Sequence, residues 1–166
     1  AKENKVLLME AMWTRFLPAT QKVRETIASK KLGNFKKAYL EFGFSVNGHV
    51  DDEGRLFNPN LAGGSILDIG VYPVAYTLNM TDQSVKSIQS TAKFSKTGID
   101  VECISEIVFE DDSTATLISS FVEDRNAPGL LEFEYGTITI ENFWRSQKVT
   151  IDGVDYEFPF IGEGFP

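Results

Sequence analysis

Between residues 63 and 73 the chain reads Gly-Gly-Ser-Ile-Leu-Asp-Ile-Gly-Val-Tyr-Pro, which sets a carboxylate, Asp68, four residues before a phenol, Tyr72, among three glycines. Both are proton-transfer groups. A phenol with an ordinary pKa near 10 serves at neutral pH only when a neighbouring cation lowers it. If the segment is helical, residues four apart share a face with Cβ atoms about 6 Å from each other. Pro73 works against that regularity, because it has no amide donor and is at home in a first helical turn. Two readings therefore stand side by side: a proton-transfer pair, or a capping Asp68 and a core Tyr72 with a satisfied hydroxyl.

Other chemistry-bearing residue types are scarce. One cysteine and one histidine, Cys103 and His49, make neither a disulfide framework nor a zinc cluster, so no metal site is expected. Cys103 lies among strand-like residues and reads as a small buried hydrophobe, and His49 as a solvated loop residue. With 24 acidic against 16 basic residues the formal charge is −8, which provides no general field for a phosphate backbone. Nucleic acid is not an expected partner. Apolar runs are only a handful of residues long, so no membrane span or signal peptide is expected, and the cytoplasm is the default compartment. In that compartment the glycosylation pattern Asn79-Met80-Thr81 is a coincidence.

The elements that must position these residues follow from periodicity. Lys5 to Met9 reads as a strand with no cap or turn before it, as expected of a cut made inside a larger protein. Pro18, Val23 and Ile27 predict an amphipathic helix over 18–32, stopped by Gly33. Leu40, Phe42, Phe44 and Val46 alternate with Glu41, Gly43 and Ser45 as a half-buried strand. A polar stretch over 47–60 is long enough to carry function, and a second helical segment spans 65–80. Strands are expected over 101–109, 114–122, 130–135, 137–141 and 148–152, separated by Asp111-Asp112-Ser113, Gly136 and Asp152-Gly153 turns. The fold class is α+β: one domain, with a mainly antiparallel, open-faced sheet and helices on one face. Thirteen phenylalanines predict either a large core or a second sheet face buried against another subunit. Apolar groups on both faces of 103–109 and 116–122 favour the latter, a dimer through the sheet face.

The run Gly63-Gly64 followed by Asp68-Ile69-Gly70-Val71-Tyr72 resembles the Gly-Gly-x-x-x-Asp-x-Gly-x-(His/Tyr) motif of the Gfo/Idh/MocA oxidoreductases. The segment from Met9 to Pro18 is similar to the one that joins the two domains in the dihydrodiol dehydrogenase branch. The resemblance implies the C-terminal domain of a two-domain dehydrogenase. Its N-terminal Rossmann domain, with Gly-x-Gly-x-x-Gly and a Glu-Lys-Pro lysine, is missing from residues 1–166, while residues 1–17 form the junction with it and truncation at both ends is expected. The reaction implied is hydride transfer between a nicotinamide and a small-molecule sugar, polyol or dihydrodiol.

By the same resemblance, Tyr72 hydrogen-bonds the reacting oxygen and Asp68 orients or charges the missing lysine. Trp13 would stack on the nicotinamide or a substrate ring unless it is a core residue of the domain junction, and Arg15 is read first as a structural partner of Glu10, with neutralisation of an anionic group in cofactor binding as its other role. Phe44 and Trp144 would supply an aromatic substrate wall. Tyr72, where the sugar and inositol branches commonly place histidine, points to the dihydrodiol and glucose-fructose branches. NAD or NADP is expected in the full-length protein, and no cofactor is expected to bind 1–166 alone. A non-catalytic binding or scaffold module that kept the fold without the cofactor chemistry is the alternative.

Overall fold

The computed structural model describes residues 1–46 and 48–160. Its centre is an eight-stranded sheet in the order β2-β3-β4-β1-β5-β6-β7-β8. The strands are β1 (Phe35–Gly43), β2 (Val85–Phe94), β3 (Asp100–Phe109), β4 (Thr114–Ser120), β5 (Gly129–Phe133), β6 (Thr137–Ile140), β7 (Lys148–Ile151) and β8 (Val154–Glu157). Only the β1–β4 pair is parallel, and every other pairing is antiparallel. Two helices, α1 (Pro18–Ala28) and α2 (Val71–Met80), pack on one face, α2 over β1 and β4 and α1 over β7. This is the α+β, open-faced arrangement that the pattern predicts.

Register sorts the side chains. Ala38, Leu40, Ala115, Leu117, Ile107 and Leu131 align across neighbouring strands under the helices and join the main core with Val23, Tyr76 and Phe143. Helix α1 opens with Pro18 in its first turn and presents Ala19, Val23 and Ile27 to that core. It stops at Ala28, short of the expected 32, because Lys30 turns into the left-handed region at φ +56°. Leu32 is still buried, from the turn that follows.

Three strand expectations need correction, and the short, mostly exposed β8 is not among the expected strands at all. Strand β1 begins at Phe35, not Leu40, and ends at Gly43; a bulge between Phe35 and Lys37 breaks the alternation that marks a strand in sequence. Strand β2 escapes prediction because all ten of its residues are exposed, so burial imposes no apolar period on it. The expected strand at Lys5 to Met9 is not formed: with no partner strand among the described residues, Val6 to Met9 run irregular and exposed. The segment Pro59–Met80 has the length and composition of a membrane span. It is folded here as separate turns plus α2, and it puts Ile69, Tyr76 and Met80 into the interior.

The face away from the helices carries Tyr39, Ile104, Val108, Ile118 and Leu130, but a charge cluster interrupts it. Arg125 lies 3.5 Å from Glu41, 3.4 Å from Glu102 and 2.9 Å from Glu123, and Lys93 lies 2.8 Å from Glu102. The Glu102 side chain is only 5% exposed. The hydrogen bond from Lys93, against the opposing effect of burial and with help from Arg125, holds its carboxyl below the usual range. A depressed carboxylate stabilises the fold above its unfolded pKa of about 4.3, and that contribution is lost as pH falls through the lower folded value. We expect Tm to fall on acidification below about pH 4.3, and Glu102→Gln to flatten that decline. A decline of unchanged slope in Glu102→Gln would place the acid sensitivity elsewhere.

Candidate functional site

The segment carrying Asp68 and Tyr72 is held by a carboxylate on a strand. Asp100, at the start of β3, accepts hydrogen bonds from the Ser65 hydroxyl at 2.6 Å and the Ile66 amide at 2.8 Å. Ser65 also lies 2.9 Å from the Ser119 hydroxyl on β4. The Gly63 amide donates to the Asn58 carbonyl and the Gly64 amide to the Leu56 carbonyl, which ties the turn to the polar loop. Gly64 sits at φ +126° with its open side against Asp100. From this anchor Ile66–Gly70 winds as one wide π-type turn and passes directly into α2 at Val71. Asp68 therefore lies on an irregular lead-in, and Pro73 sits within the first turn of the regular helix.

The pair does not close on itself. The Asp68 carboxylate accepts from the guanidinium of Arg55, in the polar loop. The Tyr72 ring meets Phe42 edge-on at 5.8 Å, and Phe42 stacks on Trp144 at 3.9 Å with planes 7° apart. Trp144 is fixed in turn by Phe143 at 5.4 Å and by the Thr14 hydroxyl, which donates to its carbonyl at 2.8 Å. Tyr72 also lines a narrow recess with Met12, Arg15, Thr20, Tyr76 and Asn79. Tyr76, one turn on, is a phenol of another kind: burial pushes it well above its ordinary value, with Thr20 opposing. Tyr72, by contrast, is the half-buried tyrosine of α2.

The other candidates separate into two groups. Trp144 joins Tyr72 through Phe42, and Arg15 shares the recess, where it donates to the Asn79 side chain at 3.3 Å. Trp13, in the short turn Trp13–Phe16, is half-buried and packs on Phe160 at 6.5 Å. Phe44 lies elsewhere, against Phe121 at 5.3 Å in a second apolar cluster with Phe57 and Ile69. Among the described residues no three His, Cys, Asp or Glu side chains gather as a metal site.

Residues 20–149 match the GFO/IDH/MocA C-terminal domain. The chain belongs to this family. It is 27% identical over 161 residues to trans-1,2-dihydrobenzene-1,2-diol dehydrogenase of Danio rerio, covering 96% of this chain and 47% of that protein. It is 30% identical over 155 residues to scyllo-inositol 2-dehydrogenase (NADP(+)) IolU of Bacillus subtilis, covering 91% of this chain and 46% of that protein. The crystal structure of aldose-aldose oxidoreductase from Caulobacter crescentus shares the fold at a TM-score of 0.82 and 17% identity, covering 98% of this chain and 51% of that one. The chain thus spans about half the length of the curated relatives it matches.

Set in this oxidoreductase family, the glycine turn answers a question about cofactor. A nicotinamide dinucleotide needs free backbone amides for its pyrophosphate. Here the amides of Gly63 and Gly64 already donate to carbonyls, and the acidic Asp100 occupies the approach to Gly64. This turn does not fit the phosphate end of such a cofactor. Sequence reasoning missed three residues that build the site: Phe42, Arg55 and Asp100. Arg55 had a signal, as the one Lys or Arg between Lys37 and Lys86. Phe42 and Asp100 had none beyond strand pattern, since their roles depend on packing across the sheet.

Proposed function

We propose that this chain is the substrate-side and dimerisation domain of an NAD(P)-dependent oxidoreductase acting on a sugar, polyol or dihydrodiol. The observation that carries the reading is Tyr72: a half-buried phenol on an aromatic wall of Phe42 and Trp144, inside the stretch that matches the family's C-terminal domain. Aromatic faces suit a substrate ring, and the phenol is placed to hydrogen-bond the oxygen whose carbon is oxidised or reduced. Asp68 holds a positive partner, Arg55 in this chain and, on this reading, a lysine of the remaining domain in the full-length enzyme. Trp13 and Arg15 face the domain junction. Support for a junction over residues 1–17 comes from apolar side chains left in solvent there, Leu7 at 89%, Leu8 at 83% and Phe16 at 64% exposure.

Full-length enzyme assayed with NADP+ against scyllo-inositol and trans-1,2-dihydrobenzene-1,2-diol tests the activity. Residues 1–166 alone are expected to bind neither NADH nor NADPH in titration calorimetry, because the Gly63 and Gly64 amides are already engaged and Asp100 stands against Gly64. Micromolar binding to this chain would overturn the division of labour between two domains.

On this reading the dimer uses the open face, which carries Ile118, 5% exposed and in neither apolar cluster. It sits opposite Glu41 on β1 and Ile104 on β3. Ile118→Asp puts a third carboxylate beside Glu41 and near Glu102 and should turn a dimer in light scattering into a monomer, with circular dichroism reporting whether the fold survives. A strictly monomeric wild type at high concentration would remove the sheet face from the assembly.

A further inference from the structure

We propose that Arg55 is a positioning residue for Asp68, an inference that rests on the reading of Asp68 and Tyr72 above. Its guanidinium is an unusual feature of its loop. It is the only Lys or Arg over nearly fifty residues and is mostly in solvent at 69% exposure, yet it pairs with a carboxylate that is only 18% exposed.

The backbone on both sides of the pair is fixed by other contacts. The Leu56 carbonyl, next to Arg55, accepts from Gly64, and the Phe57 carbonyl accepts from the Thr97 hydroxyl at 2.7 Å. Phe57 is buried in the same cluster as Ile69, the neighbour of Asp68. Loop and π-type turn are thus joined through one small core, and forming the ion pair orders little more than two side chains. What remains for Arg55 to set is the direction of the Asp68 carboxylate. Arg55 engages Oδ1, and it is the partner that the Asp68 side chain has among the described residues. A carboxylate steered in this way presents a defined acceptor to a cation or substrate hydroxyl. An exposed pair adds little to fold stability, so its loss should be felt in the site and not in the fold.

The test uses the full-length enzyme as wild type, R55Q, R55K, D68N and the R55Q/D68N double variant. Probes are scyllo-inositol and trans-1,2-dihydrobenzene-1,2-diol with NADP+. R55Q is expected to lower kcat by roughly tenfold to a hundredfold, with KM, cofactor affinity and Tm nearly unchanged and R55K restoring most of the loss. The double variant should be no slower than D68N. Amide hydrogen exchange over 64–72, which needs no turnover, should match wild type in R55Q, because other contacts hold that backbone. Faster exchange over 64–72 in R55Q, wild-type kcat beside an impaired D68N, or losses that simply multiply in the double variant would each overturn the role of Arg55. A fully active D68N would instead remove the underlying reading of the site.

Discussion

Tyr72→Phe in the full-length enzyme is expected to lower kcat by roughly 10² to 10⁴, the loss that follows removal of a positioned proton-transfer group. The substitution keeps the ring that packs edge-on against Phe42, so the aromatic wall and the start of α2 survive. Stability should change by about 1 kcal/mol or less, the net contribution of an ordinary hydrogen bond. Cofactor affinity should not move, since the phosphate contacts are assigned to another domain. Asp68→Asn should lower kcat in the same direction by disturbing its positive partners, with no direct loss of a substrate contact. Together the two should cost less than their product, as expected of groups that work as a unit. Wild-type turnover in a folded, cofactor-binding Tyr72→Phe enzyme would make Tyr72 a core residue whose hydroxyl has no part in the chemistry.

The contrast between Tyr72 and Tyr76 shows how far the sequence could lead. Both lie on the same helix one turn apart, and no periodicity tells which meets solvent; the difference arises from Thr20 and Phe143 closing over Tyr76 from other elements. The order of helices and strands was readable because most strands bury one face under the helices, which imposes period two on Leu117, Leu131 and Ile138. Where burial is missing on both faces, as in β2, or a bulge shifts the pattern, as in β1, the signal disappears with it. The four-residue spacing of Asp68 and Tyr72 promised a shared helical face. Instead the wide π-type turn sends the carboxylate to Arg55, a partner thirteen residues earlier that spacing within one helix cannot reveal.

Gly64→Ala is expected to unfold the motif from its anchor. At φ +126° an L residue is strained by roughly 1–3 kcal/mol, and a Cβ there would press directly on the Asp100 carboxylate. Displacing that carboxylate weakens its hydrogen bonds to Ser65 and Ile66, each worth about 1.5–3 kcal/mol when the acceptor is charged. A combined loss of about 3–5 kcal/mol corresponds to a fall in Tm of roughly 6–20 °C for a chain of this size. The clash and the anchor involve the same two residues, so Gly64→Ala combined with the shorter Asp100→Ser should cost less than the sum of the two alone. Thermal denaturation of the three variants separates the contributions. An unchanged Tm in Gly64→Ala would mean that the turn relaxes without loosening Asp100, and that the fold of this chain does not require glycine there.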